Sequence, residues 1–140
     1  MNKLFGALIG ILVCTSVAAN VNDFRCLKSI GLKPPYRLQF VFQAGKPGVG
    51  YVIYQNSSKP IAVKNLKERE IRRVPSGRSS VIEAQWEEIT SDDTGGKYII
   101  VSQGALIYEF RYIRKKDGKI FKFEEEVEAS TEKGCEWNKK

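Results

Sequence analysis

The sequence contains no histidine among its 140 residues, and this absence excludes several kinds of active site at once. Histidine is the commonest general base and metal ligand in proteins. Without it, neither a Ser-His-Asp triad nor a Cys-His pair can form. The chain also has only three cysteines, too few without histidine for a four-ligand zinc site. We therefore expect no bound metal and no cofactor.

A pair of carboxylates is the one catalytic arrangement that the composition leaves open. The candidates lie on one predicted strand and the turn after it: Glu83, Glu87, Glu88, Asp92 and Asp93. Acidic residues in such a position usually form a solvated face, and no nucleophile and base can be assembled around them. We therefore predict that the protein is not an enzyme.

Long apolar runs are also missing, except at the N-terminus. Residues 4–13 form an unbroken apolar run after Lys3, and small residues follow at the two positions that a signal peptidase reads. This pattern predicts a cleaved signal peptide, residues 1–19, and a single mature domain, residues 20–140. Because the run is too short to span a bilayer, we expect a periplasmic or secreted protein with no membrane span.

Removal of the signal would leave two of the three cysteines, Cys26 and Cys135. An even number of cysteines in an oxidising compartment predicts one disulfide, here between the first strand and the C-terminal tail. A bridge across so long a loop stabilises a fold by about 4–5 kcal/mol in the chain-entropy model. Lipid attachment at Cys14 is disfavoured, because Val13 before it is not one of the small residues that this processing requires.

Helical periodicity is absent, and apolar residues alternate with polar ones almost throughout. This period of two predicts short strands, which cover residues 36–42, 49–55, 61–64, 71–74, 82–86, 97–103 and 106–112. Short strands separated by regular turns predict an all-β fold, a small antiparallel barrel or sandwich of about eight strands. The weakest stretch, residues 64–73, is rich in Lys, Glu and Arg and could instead form one or two helical turns.

The segment RYIRKKDGKIFKF, residues 111–123, combines six basic residues with aromatic rings around Asp117-Gly118. An Asp-Gly pair is the strongest signal for a two-residue hairpin loop. The register that follows has three apolar pairs: Tyr112 with Phe123, Tyr108 with Val127, and Leu106 with Ala129. A one-residue slip would send the apolar set to the opposite face, so the pattern selects a loop with an even number of residues.

The same register bears on nucleic-acid binding. Stacking on bases requires exposed rings beside cations. Here the rings lie on the core face, and the charges lie at the tip and on the outer face, where Arg111 meets Glu124. We therefore predict no nucleic-acid binding, despite the basic composition. Glu125 breaks the scheme because it falls opposite Phe110 on the core face, which indicates either a bulge or strand end at the rim, or a buried carboxylate with a partner.

Basic residues are concentrated in residues 64–78, where six of them stand against two acidic residues, a net charge of +4. The segment ends in VPSGRSS, and Pro-Ser-Gly favours an exposed turn that places Arg78 and several hydroxyl groups in solvent. A basic exposed loop in an exported protein suits an acidic partner. A polar surface loop with no partner is equally typical, because loops are polar in general.

The segment IRRVPSGRSS, residues 71–80, resembles the Ser-Gly motif of the periplasmic and membrane-bound inhibitors of C-type lysozyme. The signal peptide and the small antiparallel barrel are further points of similarity. SQGALIYEF, residues 102–110, is similar to the strand that follows the motif in that family. The resemblance covers about a third of the predicted mature chain. It departs from the family pattern at Ser79 and Ser80, which replace an aromatic residue, and at Gln103, which replaces a lysine.

In that family, the Ser-Gly loop inserts into the lysozyme cleft, and its serine and a basic residue meet the catalytic carboxylates. The resemblance implies this role for Ser76, Gly77 and Arg78, and the basic block adds Arg73 to the expected contact. The main hypothesis is an exported protein that inhibits a cell-wall hydrolase with an acidic cleft. Three alternatives stay open: an immunity protein against a delivered periplasmic toxin, a binding module for anionic lipid or glycan, and a structural subunit of an envelope complex.

Overall fold

The computed structural model describes residues 22–75 and 77–137, and this part of the chain is all-β. The predicted signal peptide with Cys14, and Ser76, lie outside the described residues. The strands are β1 (Asp23–Ser29), β2 (Arg37–Phe42), β3 (Val49–Tyr54), β4 (Ile61–Arg72), β5 (Val81–Glu88), β6 (Lys97–Gln103), β7 (Leu106–Ile113), β8 (Ile120–Glu125), β9 (Ser130–Thr131) and β10 (Gly134–Cys135). No helix in these residues is long and apolar enough to cross a bilayer.

The first eight strands form a closed antiparallel barrel, in which each strand pairs with the next along the chain. β8 closes the barrel by pairing with β1, where Glu124 faces Lys28. Hairpin connections of this kind need only short turns, and an even number of strands brings the last antiparallel to the first. The prediction of about eight antiparallel strands is confirmed, and the fold is a barrel rather than a sandwich.

Aromatic rings fill the interior of the barrel. Phe40 is fully buried, and its ring meets the rings of Trp86, Tyr98 and Phe110 edge-on, at centroid distances of 5.4, 5.6 and 5.8 Å. Such pairs contribute about 0.5–1.5 kcal/mol each beyond the burial of their area. The other buried members of the core are Leu27, Leu38, Val52, Val63, Ile100 and Phe123. The alternation along each strand therefore separates the inside of the barrel from its outside.

The C-terminal segment packs on the outer side of β1, after a single 3₁₀ turn at Val127–Ala129. Cys135 is bonded to Cys26, with the Cα atoms 5.6 Å apart, which confirms the predicted disulfide. The Cys135 amide also donates a hydrogen bond to Oε1 of Gln39 at 3.0 Å. Cys26 is therefore buried although it alternates with the inward-facing Leu27.

The β7–β8 hairpin has a longer loop than the sequence predicts. Phe110 lies opposite Phe123, two residues from the predicted pairing. The Arg114 amide donates to the Lys119 carbonyl at 2.9 Å. The Arg114 side chain makes two further hydrogen bonds with Asp117, at 2.9 and 2.6 Å. These contacts stabilise a four-residue loop, residues 115–118, so the number is even as predicted and the apolar set keeps its face.

The strand β8 leaves β7 after Phe123 and continues beside β1. The predicted pairs are therefore wrong: Tyr112 with Phe123, Tyr108 with Val127, and Leu106 with Ala129. The predicted contact between Arg111 and Glu124 is also wrong. Arg111 faces Lys122 and lies 3.6 Å from Glu109, while Glu124 lies 3.8 Å from Lys28.

A β-bulge at Tyr108 reverses inside and outside along the first part of β7. The strand β6 pairs with Glu109 and then with Ile107, so Tyr108 between them is an extra residue. Ile107 packs against the core as a result, and Tyr108 is 53% exposed. The prediction that Tyr108 is buried is wrong, whereas Phe110 and Phe123 are buried as predicted.

The strand β4 runs without interruption through residues for which the sequence predicts two short strands or a helical turn. Bulges interrupt its pairing with β5 between Asn65 and Lys67 and again after Glu70. The Arg69 side chain donates two hydrogen bonds to the Glu83 carboxylate across the strands, at 3.0 and 3.4 Å. Cross-strand pairs of opposite charge favour the sheet where the intrinsic preference of the residues does not.

Candidate functional site

The segment predicted to contact a partner connects β4 to β5 at one end of the barrel. We call residues 73–80 the basic loop. All its described residues are exposed or partly exposed. Gly77 has a φ of 71°, and a Cβ added there would meet no described atom within 4 Å. Glycine enters this backbone region without steric cost, so Gly77 suits an open, projecting turn.

The basic loop is reached through a part of β4 that has lost its neighbour on one side. The strand β3 pairs with β4 only as far as Val49 opposite Lys64. Residues 66–72 pair with β5 alone, so one edge of this stretch faces solvent in the described part of the chain. Charged side chains along it, such as Glu68, oppose pairing with a foreign strand.

The end of the basic loop is held against the turn between β6 and β7. Gln103 donates from Nε2 to the Ser79 carbonyl at 3.0 Å, and its Oε1 accepts a hydrogen bond from the Tyr108 hydroxyl at 2.6 Å. A side chain fixed at both ends of its amide cannot rotate freely. The C-terminal half of the basic loop is thereby anchored to the β6–β7 turn at Ser79.

Arginines dominate the charge of the basic loop. Arg73 is 85% exposed at its side chain and pairs with Glu70 at 3.1 Å. Arg78 in the loop and Arg72 at the end of β4 are exposed and have no ion-pair partner within residues 22–75 and 77–137. The guanidinium group stays charged at any physiological pH and presents several donors in one plane. The basic loop therefore offers cations whose hydrogen-bonding capacity is largely unused.

Arg25 closes the interior of the barrel beneath this end. Its guanidinium donates to the Ala105 carbonyl at 2.8 Å and to the Glu125 carboxylate at 3.1 Å, and it lies 3.8 Å from Asp23. Glu125 is the last residue of β8 and faces Leu27, not Phe110. Glu125 therefore lies at a strand end rather than at a bulge, and its half-buried carboxylate pairs with the Arg25 guanidinium.

The five candidate carboxylates do not face a common cleft. Glu83 bonds to Arg69, which lowers the pKa of its carboxyl, and Asp93 pairs with Lys115 at 3.0 Å. The Asp92 carboxylate accepts hydrogen bonds from Thr94, and these contacts lower its pKa. Glu87 and Glu88 are consecutive in β5, so their side chains point to opposite sides of the wall. Across the described chain, no three potential metal-ligating side chains form a cluster.

The other end of the barrel carries a concave feature that the sequence did not predict. A cavity of about 210 Å³ opens there, lined by Tyr36, Tyr54, Tyr112, Arg114, Phe121 and Phe123. We call it the aromatic mouth. The Tyr36 and Phe121 rings meet edge-on at 6.1 Å, and those of Tyr112 and Phe121 lie 6.2 Å apart. The inward-facing side chains of these strands are thus aromatic beyond the core as well, up to the end of the barrel.

Polar groups of the inner wall form two short hydrogen-bonded chains next to the aromatic mouth. The Tyr54 and Tyr98 hydroxyls are 2.8 Å apart, and burial raises the pKa of Tyr54 to about 12. Glu88 accepts a hydrogen bond from the Gly96 amide at 3.2 Å and interacts with the Tyr112 hydroxyl. Burial raises the pKa of Glu88, so this carboxyl keeps its proton to a higher pH than a solvated one.

Comparison with protein-family models, curated proteins and solved structures finds no match for this chain. The candidate sites therefore rest on geometry and chemistry alone. Among the residues predicted to contact a partner, Arg73, Gly77 and Arg78 lie together on the exposed basic loop, and Ser76 is outside the described residues.

Sequence reasoning missed Arg25 and the aromatic mouth. The signal for Arg25 was available, because it falls two residues before the inward-facing Leu27 in an alternating strand. The aromatic mouth had no comparable signal. Tyr36 precedes β2, Tyr54 ends β3 and Phe121 lies in β8, so only the closure of the barrel brings these rings together.

Proposed function

We propose that the protein is a small exported binding protein, and that its basic loop inhibits a secreted hydrolase by entering an acidic cleft. The observation that carries this proposal is the exposure of Arg78, which has no ion-pair partner among the described residues, on a glycine-containing loop next to the exposed Arg72 and Arg73. The disulfide is compatible with an oxidising compartment, where such enzymes act.

The chemistry of the basic loop suits catalytic carboxylates. Arg78 can donate two parallel hydrogen bonds to a carboxylate, and such charge-assisted bonds are about twice as strong as neutral ones. Ser76 would add a hydroxyl donor beside it. A few residues in a desolvated centre carry most of the free energy of binding in protein complexes. The barrel wall supports this role because the loop enters a partner already ordered at its base by Gln103.

The proposal is tested by titrating the activity of C-type lysozymes with the protein and with a double variant, Ser76→Ala with Arg78→Ala. The double variant should weaken inhibition by at least about tenfold, or roughly 1.4 kcal/mol. A matched control removes two exposed cations at the other end of the barrel, Lys115→Gln with Lys116→Gln, and should change inhibition far less. Absence of inhibition by the unmodified protein at stoichiometric concentration would refute lysozyme as the target.

Two alternative proposals have different signatures in the same experiments. An immunity protein would leave lysozymes active and bind one delivered toxin with the same arginines. A module for anionic lipid or glycan would bind many negatively charged surfaces, and its affinity would collapse between low and physiological salt, because exposed charges are screened. Binding to vesicles with and without anionic lipid, at two salt concentrations, distinguishes the latter from an inhibitor that binds one enzyme.

A further inference from the structure

The aromatic mouth has the dimensions of a site for one small ring. Its volume of about 210 Å³ exceeds the roughly 150 Å³ that holds a benzene molecule inside a protein. Phe123 is buried at 5% exposure, whereas Tyr36 at the entrance is 56% exposed. The cavity is therefore open to solvent at one side and closed by the core at the other. Sites of this kind occur in the mouths of β-barrels.

The wall of the aromatic mouth favours a flat or nearly flat ring. Tyr36, Tyr112 and Phe121 all line the cavity, and aromatic surfaces prefer ring partners in offset or edge-on contact. The rings of Tyr36 and Phe121 lie 6.1 Å apart and those of Tyr112 and Phe121 lie 6.2 Å apart, so the three rings form one continuous aromatic lining.

Cations at the rim favour a negative charge on that ring. The Arg114 guanidinium carbon, on the lining of the cavity, lies 5.4 Å from the centre of the Phe121 ring. The Lys119 Nζ lies 5.1 Å from the same ring, beside an adjoining cavity that Phe121 also lines. Arg114 is bonded to Asp117, which neutralises part of this charge, but Lys119 has no ion-pair partner among the described residues. A carboxylate beside Phe121 would complete the pairing of Lys119 and could also reach the guanidinium edge that Asp117 leaves open.

Hydroxyl groups at the inner side favour a ring that is itself polar at its edge. A phenol hydroxyl can donate one hydrogen bond and accept others. Tyr54 shares one hydrogen bond with Tyr98, and Tyr112 interacts with Glu88. Each of these tyrosines thus keeps capacity for a partner of its own. An aromatic carboxylate would satisfy the rim but not these hydroxyls, whereas a sugar ring presents hydroxyls along its edge and apolar C–H groups on its faces.

We propose that the aromatic mouth binds a single sugar ring that carries a carboxylate, such as a uronic acid residue of a glycan. The site is independent of the basic loop, which lies at the opposite end of the barrel. A ligand of this size binds with a Kd of about 1 mM at ordinary ligand efficiency, so multivalent attachment to a glycan would be needed for tight binding.

The test is a titration of the isotope-labelled protein with glucuronate, followed by amide chemical shifts. Glucuronate should shift the amides of Tyr36, Arg114 and Phe121 and leave those of Gly77 and Arg78 unchanged. Glucose, which lacks the carboxylate, and benzoate, which lacks the hydroxyls, should each bind at least about tenfold more weakly. Equal or tighter binding of benzoate would overturn the sugar assignment, and equal binding of glucose would overturn the role of the cations.

Two variants with matched controls locate the site. Tyr36→Ala and Lys119→Gln should each weaken glucuronate binding at least about tenfold, because they remove one wall and the unpaired cation. Tyr108→Ala removes a tyrosine of similar exposure, 53% against 56%, from the outer surface, and Lys116→Gln removes a cation from the same turn. Both controls should bind normally. The proposal is overturned if glucuronate causes no shifts, or if the controls lose as much affinity as the test variants while all four remain folded.

Discussion

The two ends of the barrel differ in how their functional groups relate to the core. At the aromatic mouth, Tyr112 and Phe121 pack directly on the buried cluster, so the candidate site is an extension of the core. The basic loop extends from a strand edge that has lost one neighbour, and Gln103 is its main anchor. The comparison teaches that a ligand at the aromatic mouth would have to be enclosed by the barrel, whereas a partner of the basic loop would have to receive a projecting segment.

The largest effect that the comparison predicts is at the core beneath the aromatic mouth. Phe110→Ala should lower the free energy of unfolding by about 3–5 kcal/mol, because it leaves a cavity among Phe40, Tyr98 and Phe123. Urea denaturation followed by fluorescence measures it. Tyr108→Ala, two residues away at the bulge and exposed on the outer surface, should cost less than about 1 kcal/mol. Equal losses at the two positions would show that the bulge is misplaced.

Two glycines at opposite ends provide a sharper contrast. A Cβ at Gly96 would lie 2.6 Å from the Ile113 carbonyl oxygen and 2.5 Å from the Tyr112 ring. Gly96→Ala should therefore cost about 1–3 kcal/mol through overpacking. Gly77→Ala meets open space, and only its positive φ opposes the change, at about 1 kcal/mol. Thermal denaturation of both variants checks the order, and a greater loss at Gly77 would contradict the account of the basic loop as open.

The pH dependence of stability offers a third comparison, because burial raises the pKa of Glu88. The native state then holds this proton to a higher pH than the unfolded chain does. Between the ordinary pKa and the raised one, the stability contributed by Glu88 falls as pH rises. Glu88→Gln cannot lose a proton, so its stability relative to the wild type should increase over that window. Urea midpoints for both proteins from about pH 4 to 8 test the sign, and a constant difference would argue against a raised pKa.

The smallest effect on stability is expected at the basic loop. Ser76→Ala with Arg78→Ala should change the free energy of unfolding by less than about 0.5 kcal/mol, because Arg78 is exposed and the sequence predicts a polar turn at Ser76. Calorimetry under the conditions of the inhibition assay provides the measurement. A loss above about 1 kcal/mol would mean that these side chains support the fold, and any loss of inhibition could then not be assigned to contact with a partner.

Much of the architecture was predictable because period-two alternation reports a barrel wall directly. The strand Lys97–Gln103 was predicted with its observed bounds, and Cys26 with Cys135 followed from their number alone. The register of the β7–β8 hairpin could not be predicted, because the hydrogen bonds between Arg114 and Asp117 favour a longer loop than the Asp-Gly pair suggests. The continuous strand through residues 64–73 could not be predicted either, because it depends on pairing with β5 rather than on its own composition.

One of the two candidate sites could be predicted from the sequence and the other could not. A contiguous segment, such as the basic loop, can be recognised from its turn residues and its charge alone. The aromatic mouth is assembled from residues distant in sequence, and its members are indistinguishable from core positions in a one-dimensional pattern. The bulge at Tyr108 has the same origin, because one extra residue leaves alternation intact on either side of it.

The bond between Cys26 and Cys135 also determines how the molecule responds to mechanical force. The two cysteines are 109 positions apart and enclose nearly all of the barrel. A pull applied between the two ends of the chain would travel through the sulfur atoms and bypass the strands between them. Only the residues before Cys26 and after Cys135 would be stretched. An unfolding enzyme that pulls on one end of the chain would therefore reach a covalently closed loop before it could separate the strands inside that loop.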